Sequence, residues 1–404
     1  MTPLHASPNE ARRALVVLLA VVFVNIAGFG VVIPLLPFYG QSFRAPTWAV
    51  GLLFSAFSFG QFFGETFWGR LSDRIGRRPV LMITIFANAL SYLALAYAPT
   101  IWIACVIRLA SGFASGNIST IQGCLADVTP PDRRAGRMGL LGSAFSLGFM
   151  TGPGIGGLLA QPSLGTVGFQ LPIFAGAAFA IASAFGVLFF VRETFHPHQI
   201  SARPISYRQS ISAAAGNPVI TRVLLISLIV VAGFAGIEAT YGLWTQARFG
   251  WGPRQIGLTF MVSGGTGAII QGLVTGRLVR RFGEASVLTT GLALVCLGMT
   301  TQCLAPVWPF AVGGLFLVAL GQSLTFPNLS ALISRASPPE RQGEMLGLNM
   351  ACNALARCGG PVLGSVLFSE VSRAAPFVVS ALATLPGLAM VRDVERRMAA
   401  RAAA

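Results

Sequence analysis

The sequence predicts an all-α membrane protein whose 12 transmembrane helices form two pseudo-symmetric six-helix bundles. Three observations carry that prediction. The 404 residues are 54% hydrophobic and only 10% charged, too few charges to cover the surface of a water-soluble fold. The apolar runs, each close to the roughly 20 residues that cross a bilayer, fall into a group of six, a polar stretch and a second group of six. The net charge of +15 is carried by arginine alone, and the arginines gather in alternate loops.

Taken in order, the first run, Ala14 to Pro37, follows Arg12 and Arg13. It is too long for the apolar part of a signal peptide, and no small-residue cleavage site opens onto a polar domain, so it reads as span 1. Spans 2 to 6 follow at about Trp48–Trp68, Pro79–Ala98, Ile101–Cys124, Met138–Ala160 and Leu171–Val191. The stretch from Arg192 to Asn217 holds prolines, serines and two histidines and reads as a linker. Spans 7 to 12 follow at about Pro218–Trp244, Ile256–Gly276, Ser286–Leu304, Trp308–Ile333, Met345–Phe368 and Pro376–Val391. The expected domains are therefore 1–191, a linker over 192–217, and 218–404.

Arginine placement tests that count. With these spans, 22 loop arginines lie on one side and four (Arg44, Arg248, Arg254, Arg373) on the other. By the positive-inside rule the richer side is cytoplasmic, which puts both termini and the linker there. The halves also repeat. Pro130-Pro131-Asp132-Arg133 is matched by Pro338-Pro339-Glu340-Arg341, and at the same offset Gly139, Gly152-Pro153 and Gly156 are matched by Gly347, Gly360-Pro361 and Gly364. Duplicated six-helix halves with a binding site near the midplane describe secondary transporters.

Small residues recur at fourfold spacing: Gly148, Gly152 and Gly156 in span 5, Gly264, Ala268, Gly272 and Gly276 in span 8, Ala56, Gly60 and Gly64 in span 2, and Ala356, Gly360 and Gly364 in span 11. Such ridges let helix backbones approach closely in lipid. Static packing explains any one of them. Four at paired positions are expected to form a sliding seam between the halves, with Pro153 and Pro361 as matched kinks.

The segment Gly69-Arg70-Leu71-Ser72-Asp73-Arg74-Ile75-Gly76-Arg77-Arg78 places four arginines and one aspartate between two apolar runs. It matches the loop 2–3 pattern G-x-L-[SA]-D-R-x-G-R-[RK]. With it, Gly28 and Gly30 through Pro34 and Pro37, Arg108 with Gly112 and Gly116, and Gly148 to Gly157 resemble the first-, fourth- and fifth-span motifs of the major facilitator superfamily, in its twelve-span drug:proton antiporter branch. Gly69–Leu81 and Ala126-Asp127-Val128-Thr129 are similar to the tetracycline exporters. Those exporters carry acids in spans 1, 3 and 9, where this chain has Asn25, Ser91 and no acid, so a tetracycline specificity does not carry over.

The resemblance implies a proton-coupled exporter of small, largely apolar or cationic compounds. It would work as a monomer in a bacterial inner membrane, with protons and a small molecule as its partners beside the lipid. Import or facilitated passage of a metabolite such as a sugar or organic acid stays open. The fifth-span motif favours export. No cofactor beyond the proton gradient and no nucleic acid is implied. No nucleophile–base arrangement or phosphate loop suggests an enzyme.

Charges inside a bilayer cost about 3 kcal/mol at the span centre and ask for a reason. Glu238 in span 7, a cavity-lining span in this superfamily, is the expected proton carrier, and Arg108 in span 4 its charge partner; each has a competing reading as a fixed hydrogen-bonding residue. Arg357 in span 11 reads as a seam residue. Glu65 and Asp127 are expected to pair with loop arginines, Asp127 with Arg133 or Arg134. A hydrophobic site needs aromatic walls and a few polar hooks: Asn25 and Phe29 in span 1, Asn117 and Gln122 in span 4, Tyr241 and Trp244 in span 7, Gln322, Phe326 and Asn328 in span 10. Gly69, Asp73, Arg74, Gly76, Arg77 and Arg78, with Glu65 and Asp127, form the expected cytoplasmic gate. There the resemblance implies that Asp73 meets the N-terminus of span 11. The six cysteines lie inside apolar runs without a CxxC pair, and no metal site is expected. His196 and His198 flank Pro197 in the linker.

Overall fold

The computed structural model describes residues 8–127, 129, 134–191, 193, 207–338 and 341–403, and within these every regular element is helical. The first repeat begins with α1 (Pro8–Val32), a 3₁₀ turn Ile33–Leu35 and α2 (Leu36–Ser42). It continues with α3 (Thr47–Ile75), α4 (Arg77–Ala96), α5 (Ile101–Ser115), α6 (Ile118–Asp127) and α7 (Arg134–Leu159), then a 3₁₀ segment Pro162–Phe169 and α8 (Gln170–Phe190). The short α9 (Tyr207–Ala215) precedes the second repeat. That repeat comprises α10 (Pro218–Phe249), α11 (Pro253–Ile269) running through a π-turn Ile270–Val274 into α12 (Thr275–Phe282), α13 (Glu284–Leu304), α14 (Trp308–Ala336), α15 (Gln342–Val366) with a π-turn Leu367–Val371, and α16 (Ala375–Ala403). The histidine pair and Asp132–Arg133 lie outside the described residues.

Local chemistry accounts for the ends. Thr100 accepts from the Ile103 N–H to cap α5. Asn217 accepts from the Val219 N–H and Pro218 opens α10, where a missing N–H costs nothing. Gly250 closes α10 in the left-handed region at φ 68°. Among the described residues, nine helical stretches are long and apolar enough to cross a membrane. The other long helices, α3, α7 and α15, hold 29, 26 and 25 residues, or ~37–43 Å at 1.5 Å per residue, so they also reach across. They are less apolar on average because each carries several glycines together with amide or charged residues. Large side chains such as Phe86, Phe189 and Leu304 are 62%, 70% and 73% exposed. Rows of this kind would aggregate in water but suit lipid.

The chain divides into two compact units. One holds the helices up to α8 without Arg44–Ser55, together with Pro253–Met261; the other holds Arg44–Ser55, α9, α10 and the chain from Val262 onward. In the first, α1 packs on α7 and α8, and α4 on α8 and α5; in the second, α10 packs on α15 and α16, and α13 on α16 and α14. The two pairing patterns are the same under the sequence repeat. Within the second unit α9 is docked: Ala214 joins the apolar core with Val219, Val223 and Leu348, and the Thr221 hydroxyl donates to the Ala214 carbonyl at 2.8 Å. Glu344, at the start of α15, pairs with Arg341 at 2.8 Å. That pair, with a Ser210 hydrogen bond from α9, holds the Glu344 carboxyl below the usual carboxylate range.

The glycine ridges differ from expectation. A Cβ on Gly148, Gly152 or Gly156 of α7 would strike the carbonyl oxygens of Phe23, Ala27 and Val31 on α1, themselves spaced by four. Gly360 and Gly364 of α15 meet Ala232 and Gly236 of α10 in the same way. These ridges close each unit internally and are not a seam between halves. Pro153 is buried with its ring against Gly30, and its carbonyl lies where a Cβ on Gly257 of α11 would strike; Gly257 belongs to the second half of the sequence but to the same compact unit. Gly264 is half-buried, whereas Gly272 is exposed with nothing near it. The π-turn at Ile270–Val274 inserts a residue and rotates the fourfold register out of line.

Candidate transport site

At the junction of α3 and α4 the loop motif becomes a polar knot. Gly76 adopts φ 106°, open to glycine alone, and any Cβ there would overlap the Glu193 carboxylate. Glu193 accepts the Arg77 N–H at 2.9 Å and the Arg78 N–H at 3.1 Å, capping the positive end of α4 from beyond α8. The Arg77 guanidinium reaches Asp73 at 2.6 Å, Asp127 at 3.4 Å and the Ser72 hydroxyl at 2.7 Å. It lies over Gly123, where a Cβ would leave it no room. Arg78 donates to the Leu188 carbonyl at 2.5 Å, while Arg74 is exposed. Gly69 lies beside Ser119. Arg77 therefore ties together the ends of α3, α4 and α6. Arg77 is the described partner of Asp127; the Arg133 and Arg134 side chains named as its expected partners lie outside the described residues.

Glu65 corrects the expectation of a loop-arginine pair. Span 4 is broken at Gly116-Asn117 into α5 and α6, and the Glu65 carboxylate accepts the Ser119 N–H at 3.3 Å on the new helix start. On the other side of the break, the Trp68 indole N–H donates to the Phe113 carbonyl at 2.7 Å. The break is bedded on glycines. Gly60 and Gly64 of α3, Gly112 of α5 and Gly116 just after it bring the two backbones so close that a Cβ on any of them would overlap backbone atoms.

Farther into the first unit Arg108 is only 2% exposed. Its guanidinium lies 4.3 Å from the Phe57 ring centre, and Phe57 packs on Phe29 at 4.8 Å, with Phe149 of α7 at 6.4 Å from Phe29. A cation on an aromatic face keeps its charge at low desolvation cost. Arg108 and Phe29, both read from the sequence, are thus brought together through Phe57, which carried no sequence signal. Asn25 is half-buried on α1 and Gln122 exposed on α6. Asn117 is corrected as a substrate hook: its amide donates to the Thr84 hydroxyl at 2.8 Å, deep between α4 and α6. Ser111 likewise donates to Asn88 at 2.7 Å. Thr84, Asn88 and Tyr92 form a buried polar stripe on α4, which its i, i+4, i+8 spacing could have revealed.

In the second unit Glu238 is buried within α10. Tyr241 and Trp244 are corrected from cavity wall to core. Tyr241 is fully buried and donates to the Ala311 carbonyl at 3.2 Å, and Trp244 packs edge-on against Phe377 at 5.0 Å. Asn328 is also withdrawn, its amide bonded to the Leu324 carbonyl of its own helix at 2.6 Å. Gln322 is buried, and neither of its amide atoms has a hydrogen-bond partner among the described residues; Phe326, one turn on, is half-buried. No metal-binding group of His, Cys, Asp and Glu exists among the described residues, and the cysteines are unbridged.

The profile of the Major Facilitator Superfamily matches residues 18–285 and 223–403. The chain is 30% identical over 378 residues to the class E tetracycline resistance protein of Escherichia coli, covering 89% of this chain and 88% of the relative. It is 27% identical over 399 residues to Multidrug resistance protein 2 of Bacillus subtilis, covering 95% and 96%. The crystal structure of the human organic anion transporter MFSD10 superposes with a TM-score of 0.71 at 24% identity, over 95% of this chain and 100% of that one.

Proposed function

Because this chain belongs to the Major Facilitator Superfamily, a family of membrane transporters, we propose that it is a proton-coupled exporter of small, largely apolar or cationic compounds. Glu238 carries the reading: it is a carboxylate buried within a membrane-length helix of the second unit. A group so placed is retained for function more often than for packing, because its charge is costly there. Protonation and substrate binding compete at Glu238, so protons entering from outside drive the compound out. Arg108, held over Phe57, supplies the fixed positive charge of the first unit. The resistance proteins among the relatives support export.

Arginine placement supports cytoplasmic termini in a bacterial inner membrane. The two six-helix halves on either side of the linker at 192–217 act as the rocking bodies of a monomer, with no cofactor besides the proton gradient. Asp73 and the Arg77 knot serve the cytoplasmic gate. The test is efflux from proteoliposomes under an imposed pH gradient, with tetracycline and ethidium as probes. Glu238→Gln is expected to abolish gradient-driven movement, and Asp73→Asn to slow it without loss of inserted protein. Unchanged efflux in Glu238→Gln would sink the proton role, and gradient-driven uptake in the opposite sense would favour import of a metabolite.

A further inference from the structure

Arg357 lies at the middle of the helix that α15 forms with its terminal π-turn, and it is half-buried. Among the described residues it has no ion pair and no hydrogen bond. That separates it from a structural arginine, whose five N–H donors would be spent on carbonyls or a carboxylate. The helix explains why its face is open. Met350, Arg357, Pro361 and Ser365 share one stripe at spacings of seven, four and four. Toward one end of that stripe Pro361 and Ser365 are covered within the same unit by Gly51, where a Cβ would meet both; toward the other end Met350 is 65% exposed. Arg357 stands at the edge where cover gives way to open space. On the neighbouring helix α14, Gln322 lies near the middle of the helix, buried with both amide atoms unmatched among the described residues, and Phe326 follows it one turn on. A guanidinium without an acceptor and a buried amide without a partner among the described residues therefore lie near the middles of two neighbouring helices.

We infer that Arg357 and Gln322 form a site for the acid group of an amphipathic substrate, an aryl carboxylate or sulfonate, with Phe326 against its ring. Guanidinium geometry suits two oxygens of such an anion side by side, and its weak hydration lowers the cost of bringing it there. The amide of Gln322 donates to a remaining oxygen. This inference rests on the transport reading and extends its substrates beyond apolar or cationic compounds to apolar compounds bearing an acid.

The experiment is equilibrium binding to the full-length protein in lipid nanodiscs, without any gradient. The probes are radiolabelled 2-naphthoate and 2-naphthalenesulfonate, with 2-naphthylmethylammonium and 2-naphthalenemethanol as matched cation and neutral. At least one anion is expected to saturate and to bind about tenfold or more tighter than the ammonium probe. Arg357→Gln should weaken that anion by about tenfold or more, and Arg357→Lys by less, because the charge is kept but the fork is lost. An unchanged elution profile and unchanged weak binding of the alcohol would show that the variants are folded. Failure of both anions to saturate, equal or tighter binding of the ammonium, or an unaltered anion affinity in Arg357→Gln would overturn the inference. Since no proton gradient enters, a failed Glu238 role would leave these results intact, and the reverse also holds.

Discussion

Replacing Glu65 by alanine should open the second half of span 4. The break at Gly116-Asn117 leaves the first N–H groups of α6 without intrahelical partners, in a region where water cannot serve them. Glu65 holds the Ser119 N–H at 3.3 Å. Leaving a buried backbone N–H without its acceptor costs about 1–3 kcal/mol, and in Glu65→Ala nothing replaces the carboxyl oxygen. At 1.4 kcal/mol per factor of ten, local opening of α6 rises by about 5- to 150-fold. Glu65→Gln keeps an oxygen at the helix start and loses only the charge–dipole contribution, about 0.3–1 kcal/mol, so its opening rises less than about tenfold. Hydrogen exchange read by mass spectrometry on Ile118–Asp127 measures both, with α8 as the internal reference. Equal exchange in the wild type and Glu65→Ala would refute the cap, and equal acceleration in both variants would refute the division between charge and acceptor.

The remaining predictions concern packing and the linker. Gly112→Ala places a methyl into the Phe57 carbonyl and should lower stability by about 1–3 kcal/mol, whereas Gly139→Ala, with nothing nearby, should raise it by about 0.5–1 kcal/mol; thermal unfolding in detergent compares them, and equal shifts would contradict the α3–α5 contact. For α9, the Glu344 carboxyl lies below its ordinary range because of Arg341 and Ser210. A depressed carboxyl contributes stability that is present above its unfolded-state value and is lost as pH falls through the folded-state one. Docking of Tyr207–Ala215 should therefore loosen only in acid, below the usual glutamate range. Exchange of α9 amides across a pH series, corrected for intrinsic rates, checks this, and Glu344→Gln should abolish the dependence.

Much of the membrane architecture was legible because it follows from quantities that add along the chain. Apolar run lengths, arginine alternation and the offset between Gly152-Pro153 and Gly360-Pro361 are local or periodic, and each can be read without knowing a contact. The site was legible only in its charges. Arg108 and Glu238 stand out because charge in an apolar run is costly wherever the helix faces. Direction is another matter. Whether Tyr241, Trp244, Asn117 or Asn328 faces an opening or a neighbouring helix depends on rotation about the helix axis, which packing sets, and all four prove to be spent inside.

The same distinction divides the glycine ridges. Fourfold spacing announces that a helix will be approached closely, but Gly148, Gly152 and Gly156 cannot say by which partner; only the tertiary structure assigns them to α1. It also decided what no composition or period encodes: Glu193 reaching back from beyond α8 to cap α4, Glu65 capping a helix broken inside a span, and Phe57 beneath Arg108. The sequence by itself determined a multi-span membrane transporter with a charged loop between spans 2 and 3, because hydrophobic length and charge asymmetry are properties of the chain. Partners between residues far apart in the chain were left to the structure, because a hydrogen bond is a property of two positions brought together by packing.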